Sequence, residues 1–131
     1  MSVSRSLLLD THILLWLRGH SGLLSDGEQR LIDQAPVRYV SAVSLWEIAI
    51  LASLGRVPAD DRLYTLPQGL ELLPVDGRHC RELSSLPPIH RDPFDRMLIA
   101  QARTDDLVLL TRDTKIIGYG AAGATCANTA R

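Results

Sequence analysis

Five acids stand where they could meet. Asp10 ends the apolar run SLLLD. Glu47 lies inside SLWEIAILA, with apolar neighbours on nearly every side. Asp92 and Asp95 stand on either side of Pro93 and Phe94 in HRDPFDR (90–96), directly ahead of the apolar-periodic MLIAQA. Asp113 follows the run LVLLT by two residues. Carboxylates gathered at one place repel, by about 4 kcal/mol per pair at about 4 Å and an effective dielectric near 20. Protons or a cation must relieve that repulsion. Hard oxygen donors with no accompanying cysteine or histidine cluster favour Mg²⁺ or Mn²⁺ over Zn²⁺. A divalent ion held by a few carboxylates and waters is equipped to hydrolyse phosphodiesters.

Each acid also has a plainer role open to it. Asp92 is best placed as a helix N-cap, with Pro93 in the first helical position. Asp95 is then a first-turn acid facing the helix dipole. Asp10, ahead of Thr11-His12, can cap the next helix, and Asp113 can be a loop acid. Glu47 is harder to dismiss, because a carboxylate among apolar neighbours needs a partner or a metal. Thr11, Ser44 and Thr111 are candidate hydroxyl donors to these acids, with Ser44 one helical turn before Glu47. Their alternative is ordinary capping and strand usage. His12 and His90 lack a spaced partner and are not expected to be ligands. Trp16 and Trp46 are expected to fill the core or an interface rather than bind a base.

The acids converge only if the intervening elements bring them together. SLLLD reads as a buried parallel strand. THILLWLRG reads as a helix stopped at Gly19, and SDGEQRLIDQA as a helix opened by a capping box of Ser25 and Glu28. RYVS is a second strand, and SAVSLWEIAILASLG a helix closed by Gly55. RVPADDRLYTLPQGL is ambiguous, with room for one short helix. ELLPV is a third strand, DGRHCRELSSL a helix, DPFDRMLIAQARTDD a helix and LVLLT a fourth strand. A fifth strand is expected near GATCANT. Alternating strands and helices imply an α/β fold, a central parallel sheet of four to five strands with helices on both faces. Asp10 and Asp113 then lie at the carboxyl ends of strands, where ligands gather in such sheets. Glu47 and Asp95, near helix N-termini, fall on the same side.

At 131 residues the chain suits one domain spanning 1–131. A hydrophobic share of 46% is enough for a core and argues against disorder. No apolar run is long enough to span a membrane. The apolar N-terminus is broken by Asp10 and His12, unlike a secretory signal. Cys80 and Cys126 make neither a disulfide framework nor a metal pair, so a cytoplasmic protein is expected. The net charge of −1 excludes a general polyanion magnet. Lys115 is the single lysine, and every other basic residue is arginine. Arginine suits bidentate phosphate contacts, although codon usage in a GC-rich genome explains the skew more simply.

Taken in order, LLLDTHILLW, SAVSLWEIAI, HRDPFDRMLIAQA and LVLLTRD resemble the PIN-domain ribonucleases, and most of all the toxins of VapBC-type toxin–antitoxin pairs. The resemblance runs from about residue 6 to residue 120. It implies a PIN-like fold and an acidic pocket in which Asp10, Glu47, Asp95 and Asp113 bind Mg²⁺ or Mn²⁺ and hydrolyse RNA, leaving 5′-phosphate and 3′-hydroxyl ends. Thr111 matches the family's polar residue two before the last acid. Asp92 matches the DPFD pattern without being a usual metal acid, which agrees with its capping role. Arg91, Arg96 and Arg112 are candidate contacts to RNA phosphates. A cognate antitoxin is the implied partner, in a homodimer or a hetero-oligomer, with no membrane. The stretch Arg56–Leu66 departs from the family pattern by being short and proline-bearing. Two rivals remain. A non-catalytic PIN-like binding module would have lost some of the acids. An aspartyl-phosphate receiver or phosphatase-type domain would need an early acidic pair, which Asp10 lacks.

Overall fold

A computed structural model describes residues 5–19, 22–88 and 92–113, together with the backbone of 126–127. The order is β1 (Leu7–Leu9), α1 (Thr11–Gly19), α2 (Asp26–Gln34), β2 (Arg38–Ser41), α3 (Ala42–Ser53), a 3-10 turn (Asp61–Tyr64), β3 (Leu70–Leu73), α4 (Gly77–Ser84), α5 (Pro93–Thr104), β4 (Val108–Leu110) and β5 (Cys126–Ala127). The strands form one sheet in the order β3-β2-β1-β4-β5, with every pairing parallel. The expected α/β fold, parallel sheet and short fifth strand are all present. The ambiguous middle contributes the 3-10 turn.

Period-two alternation sends successive strand residues to opposite faces. Leu8 and Leu109 pack with Leu98, Ile99 and Ala102 of α5, and half-buried Leu83 of α4 joins them. Leu7, Leu9, Val40 and Leu110 pack with Ile13 and Leu14 of α1, Ile32 of α2 and Ile48 of α3. Helices therefore cover both faces. Leu8, Leu9, Ile13, Leu14, Ile48, Leu98, Ile99, Leu109 and Leu110 are fully buried. Each side chain of that size stabilises the fold by roughly 1.5–3 kcal/mol relative to exposure.

One strand boundary differs from the sequence reading. The third strand was expected at ELLPV, but it runs Leu70–Leu73, with Leu70 opposite Arg38. Pro74 has no N–H to give a ladder, so pairing stops before it. Helix ends follow local chemistry. Gly55, at φ +72, closes α3. Its amide donates to the Ala52 carbonyl at 3.0 Å, and the Arg56 amide to Leu51 at 2.9 Å. That bond pair needs a left-handed residue. Between α4 and α5, buried His79 accepts the Asp76 amide at Nδ1 (3.0 Å) and meets Asp105 through Nε2 (2.6 Å).

Of the two places expected for Trp46 the core is excluded, because it is 62% exposed. It projects from α3 in an edge-to-face contact with Phe94, centroids 5.0 Å apart. Residues 46, 50 and 54 recur every fourth position and share one helix face. That face is turned outward and leaves Trp46, Ile50 and Leu54 exposed. Trp16 is half-buried at the margin of the core. Among the described residues, no helix is long and apolar enough to cross a membrane.

Candidate active site

All strands run parallel, so their carboxyl ends share one edge of the sheet. The chain leaves β1 at Asp10 and β4 at Thr111. The Asp10 amide donates to the Leu110 carbonyl at 3.1 Å, which extends the ladder one step into the site. α3 starts directly from β2, with the Ser41 side chain capping the Val43 amide at 3.0 Å. α5 runs back toward β4, so its N-terminus opens on the same edge. Asp10, Glu47, Asp95 and Asp113 thereby line one cavity of about 530 Å³, with Asp92, Thr11, His12, Trp16 and Arg112 in its walls. The four acids expected to converge do converge.

Asp10 is both a cap and a pocket acid. Its Oδ1 accepts the Ile13 amide at 2.9 Å, and its Oδ2 accepts the Thr111 hydroxyl at 2.6 Å. It is 6% exposed. Burial pushes its carboxyl above the usual carboxylate range, against the opposing pull of the Thr111 bond, the Ile13 amide and nearby His12. Thr111 is itself fully buried. Its oxygen also accepts the Asp113 amide at 3.0 Å, so one hydroxyl ties two site acids together.

Glu47 is half-buried, and its Oε1 lies 2.7 Å from the Thr11 hydroxyl. That hydroxyl also lies 3.0 Å from Ser44 Oγ. A hydroxyl has one proton, so Thr11 donates to the carboxylate and Ser44 donates to Thr11. Ser44 was a candidate donor to Glu47. It supports Thr11 instead, because Thr11 of α1 comes between them.

Asp92 caps α5 as expected, with its Oδ1 accepting the amides of Phe94 (2.9 Å) and Asp95 (3.1 Å). It also faces the cavity, which the capping argument did not require. Arg96 donates to the carbonyls of Pro87 (3.0 Å) and Leu86 (3.4 Å) and does not line the cavity. Arg112 does line it, but its guanidinium is committed. It donates to both carboxylate oxygens of Glu28 and to the Leu23 carbonyl, and it lies 4.4 Å over the Trp16 ring. His90 and Arg91 lie outside the described residues. Glu28 was legible only as half of a capping box. Its second role depends on a residue 84 positions away and leaves no local signal.

Apart from the His12 imidazole, the donors around the cavity are carboxylate and hydroxyl oxygens, a set that suits Mg²⁺ or Mn²⁺. Among the described residues, no three acid, histidine or cysteine side chains are already gathered into a chelate.

Comparison with known proteins identifies the fold and the family. Among curated proteins none matches by sequence. Several solved structures share the fold. A DNA-bound VapBC from Salmonella typhimurium superposes with a TM-score of 0.70 at 16% identity, covering 94% of this chain and 97% of that one. VapBC2 from Rickettsia felis, bound to a promoter DNA fragment, gives 0.69 at 12% identity, covering 94% and 98%. FitAcB from Neisseria gonorrhoeae gives 0.68 at 17% identity, covering 93% and 96%. The sequence pattern of the PIN domain matches residues 7–121, which takes in all four convergent acids, and the protein belongs to the PIN domain family.

Proposed function

We propose that the chain is a divalent-metal-dependent endoribonuclease, the toxin half of a toxin–antitoxin pair. The observation that carries this reading is the convergence of Asp10, Glu47, Asp95 and Asp113, from four separate elements, on one cavity at the carboxyl edge of the sheet. Asp10 is held there by a hydroxyl and a backbone amide, which leaves its charge for an added cation. Asp10, Asp95 and Asp113 would hold Mg²⁺ or Mn²⁺, directly or through water, with Glu47 completing the set. The bound ion would supply charge neutralisation at the phosphate and an acidified water.

The remaining chemistry belongs to the chain. Thr111 fixes the carboxylate plane of Asp10 and orders the Asp113 backbone. Thr11 orients Glu47, which can accept a proton from an attacking water.

The partner is inferred from the same fold likeness, since the superposing structures are toxin–antitoxin complexes. The outward face of α3, with Trp46, Ile50 and Leu54, offers apolar area for a protein contact.

The test is cleavage of RNA by the purified chain. Cleavage should stop in chelator and return with Mg²⁺ or Mn²⁺. It should also fall when the product of the adjacent upstream gene is co-purified. Undiminished cleavage in chelator would remove the metal reading. Absence of cleavage with either metal would favour a non-catalytic binding module.

A further inference from the structure

Glu28 is a fully buried carboxylate outside the acid cavity. It closes the capping box of α2 by accepting the Ser25 amide at 2.8 Å. Its larger commitment is to Arg112, whose Nε donates to Oε2 at 2.6 Å and whose Nη2 donates to Oε1. This pair holds the Glu28 carboxyl below the usual carboxylate range. The same guanidinium lies over Trp16 and donates to the Leu23 carbonyl.

The position of Arg112 makes this pairing consequential. It stands between Thr111 and Asp113, and its side chain forms part of the wall of the acid cavity. The negative charge of Asp10 already favours the protonated guanidinium of Arg112. A guanidinium is a rigid fork that fits carboxylates bidentately. A cavity lined by acids is therefore a strong competing destination for it. Nothing covalent keeps it out. The opposing ion pair with Glu28 does, together with the Trp16 face.

We propose that Glu28 is a positioning residue that withholds Arg112 from the acid cavity and so keeps the carboxylates open to a divalent cation. This rests on the reading of the cavity as a cation site. Without the Glu28 charge, Arg112 turns inward and becomes the counter-ion of the acids. Relief of their repulsion by an internal cation then weakens the demand for an external one. A simple clamp on the end of β4 would behave differently, because loosening it further could not restore binding.

The experiment measures Mn²⁺ binding by titration calorimetry on the full chain, alongside thermal melts that monitor folding. Three proteins are compared: the native chain, Glu28→Gln and the double variant Glu28→Gln/Arg112→Gln. Glutamine keeps an acceptor for the Ser25 amide, and paired glutamines keep a hydrogen bond without charge. Glu28→Gln should weaken Mn²⁺ binding at least about tenfold, a fraction of what one charge at about 4 Å from a carboxylate carries at an effective dielectric near 20. The double variant should return to within about twofold of the native affinity, the usual scatter of additive effects, or exceed it. The proposal is overturned if Glu28→Gln binds like the native chain, or if the double variant stays as weak as the single one. If Glu28→Gln does not fold, the double variant decides alone, since a clamp requires it to be weak. A native chain that binds no Mn²⁺ overturns the cation-site reading and this proposal with it. A native chain that binds, with an unaffected single variant, overturns only the proposal.

Discussion

Replacing Thr111 with valine removes one hydroxyl and almost no volume. Thr111 is fully buried, donates to Asp10 Oδ2 at 2.6 Å and accepts the Asp113 amide at 3.0 Å. A hydrogen bond to a charged group contributes roughly 1.5–3 kcal/mol, and an orphaned buried amide costs about 1 kcal/mol or more. Thr111→Val should therefore destabilise the chain by about 2–4 kcal/mol, or roughly 8–16 °C at about 4 °C per kcal/mol for a domain of this size. Urea unfolding followed by circular dichroism, in chelator, measures the free energy directly. The pH dependence is a second readout. The hydroxyl favours the ionised form of Asp10, so the loss should be largest above the folded-state pKa of Asp10 and shrink as pH falls through it. In an Asp10→Asn background the same substitution should cost less, and the difference measures the coupling. Thr111→Ser keeps the hydroxyl and should lose only about 1 kcal/mol of methyl packing. A Thr111→Val change within about 0.5 kcal/mol of the native chain, the range of neutral surface substitutions, would refute the role assigned to this hydroxyl.

Burial raises the folded-state pKa of Asp10 above the ordinary aspartate value of 3.8. The folded chain then holds this proton more tightly than the unfolded one, so its contribution to stability falls as pH rises from about that value through the raised folded one. Asp10→Asn should flatten this decline, melt higher than the native chain at pH 7 in chelator, and abolish RNA cleavage; an Asn variant that melts lower across the whole range refutes the burial argument. Asp92 and Asp95 should separate by chemistry. Asp92→Asn keeps a cap and much of the cleavage, and Asp92→Ala costs about 1 kcal/mol. Asp95→Asn keeps the fold and loses cleavage. The reverse pattern in a nuclease assay with parallel melts would show that the two aspartates have been assigned the wrong way round.

The sequence carried the order of elements because each signal is local. The capping box at Ser25 and Glu28, the N-cap and proline at Asp92 and Pro93, and the glycine after α3 all act within one helical turn. Unbroken apolar runs in β1 and β4 announce burial on both faces, and parallel pairing then puts Asp10 and Asp113 on one edge. Glu47 was legible as a carboxylate in an apolar helix. Illegible were the contacts made across the fold. Thr11 interposes between Ser44 and Glu47 because α1 packs beside α3. Arg112 meets Glu28 across α2, and neither residue's neighbourhood hints at the other. The choice between core and interface for Trp46 was illegible because apolar character alone does not say which face of a helix turns outward. α3 is apolar nearly all round, so its periodicity could not choose.

The central place of β1 in the sheet also sets a timetable for synthesis. As the chain emerges, β1 can pair with β2 once residue 41 is free, but its other edge waits for residues 108–110. Through most of translation, Leu7–Leu9 present an open apolar strand edge, the kind that recruits unwanted partners. Asp95 and Asp113 arrive in the same late stretch, so the cavity is incomplete until nearly the whole described chain has left the ribosome. Under the proposed function, a nascent chain built in this order cannot cleave the message that encodes it until Asp95 and Asp113 are in place, and a messenger truncated ahead of β4 yields a sticky fragment without the complete cavity.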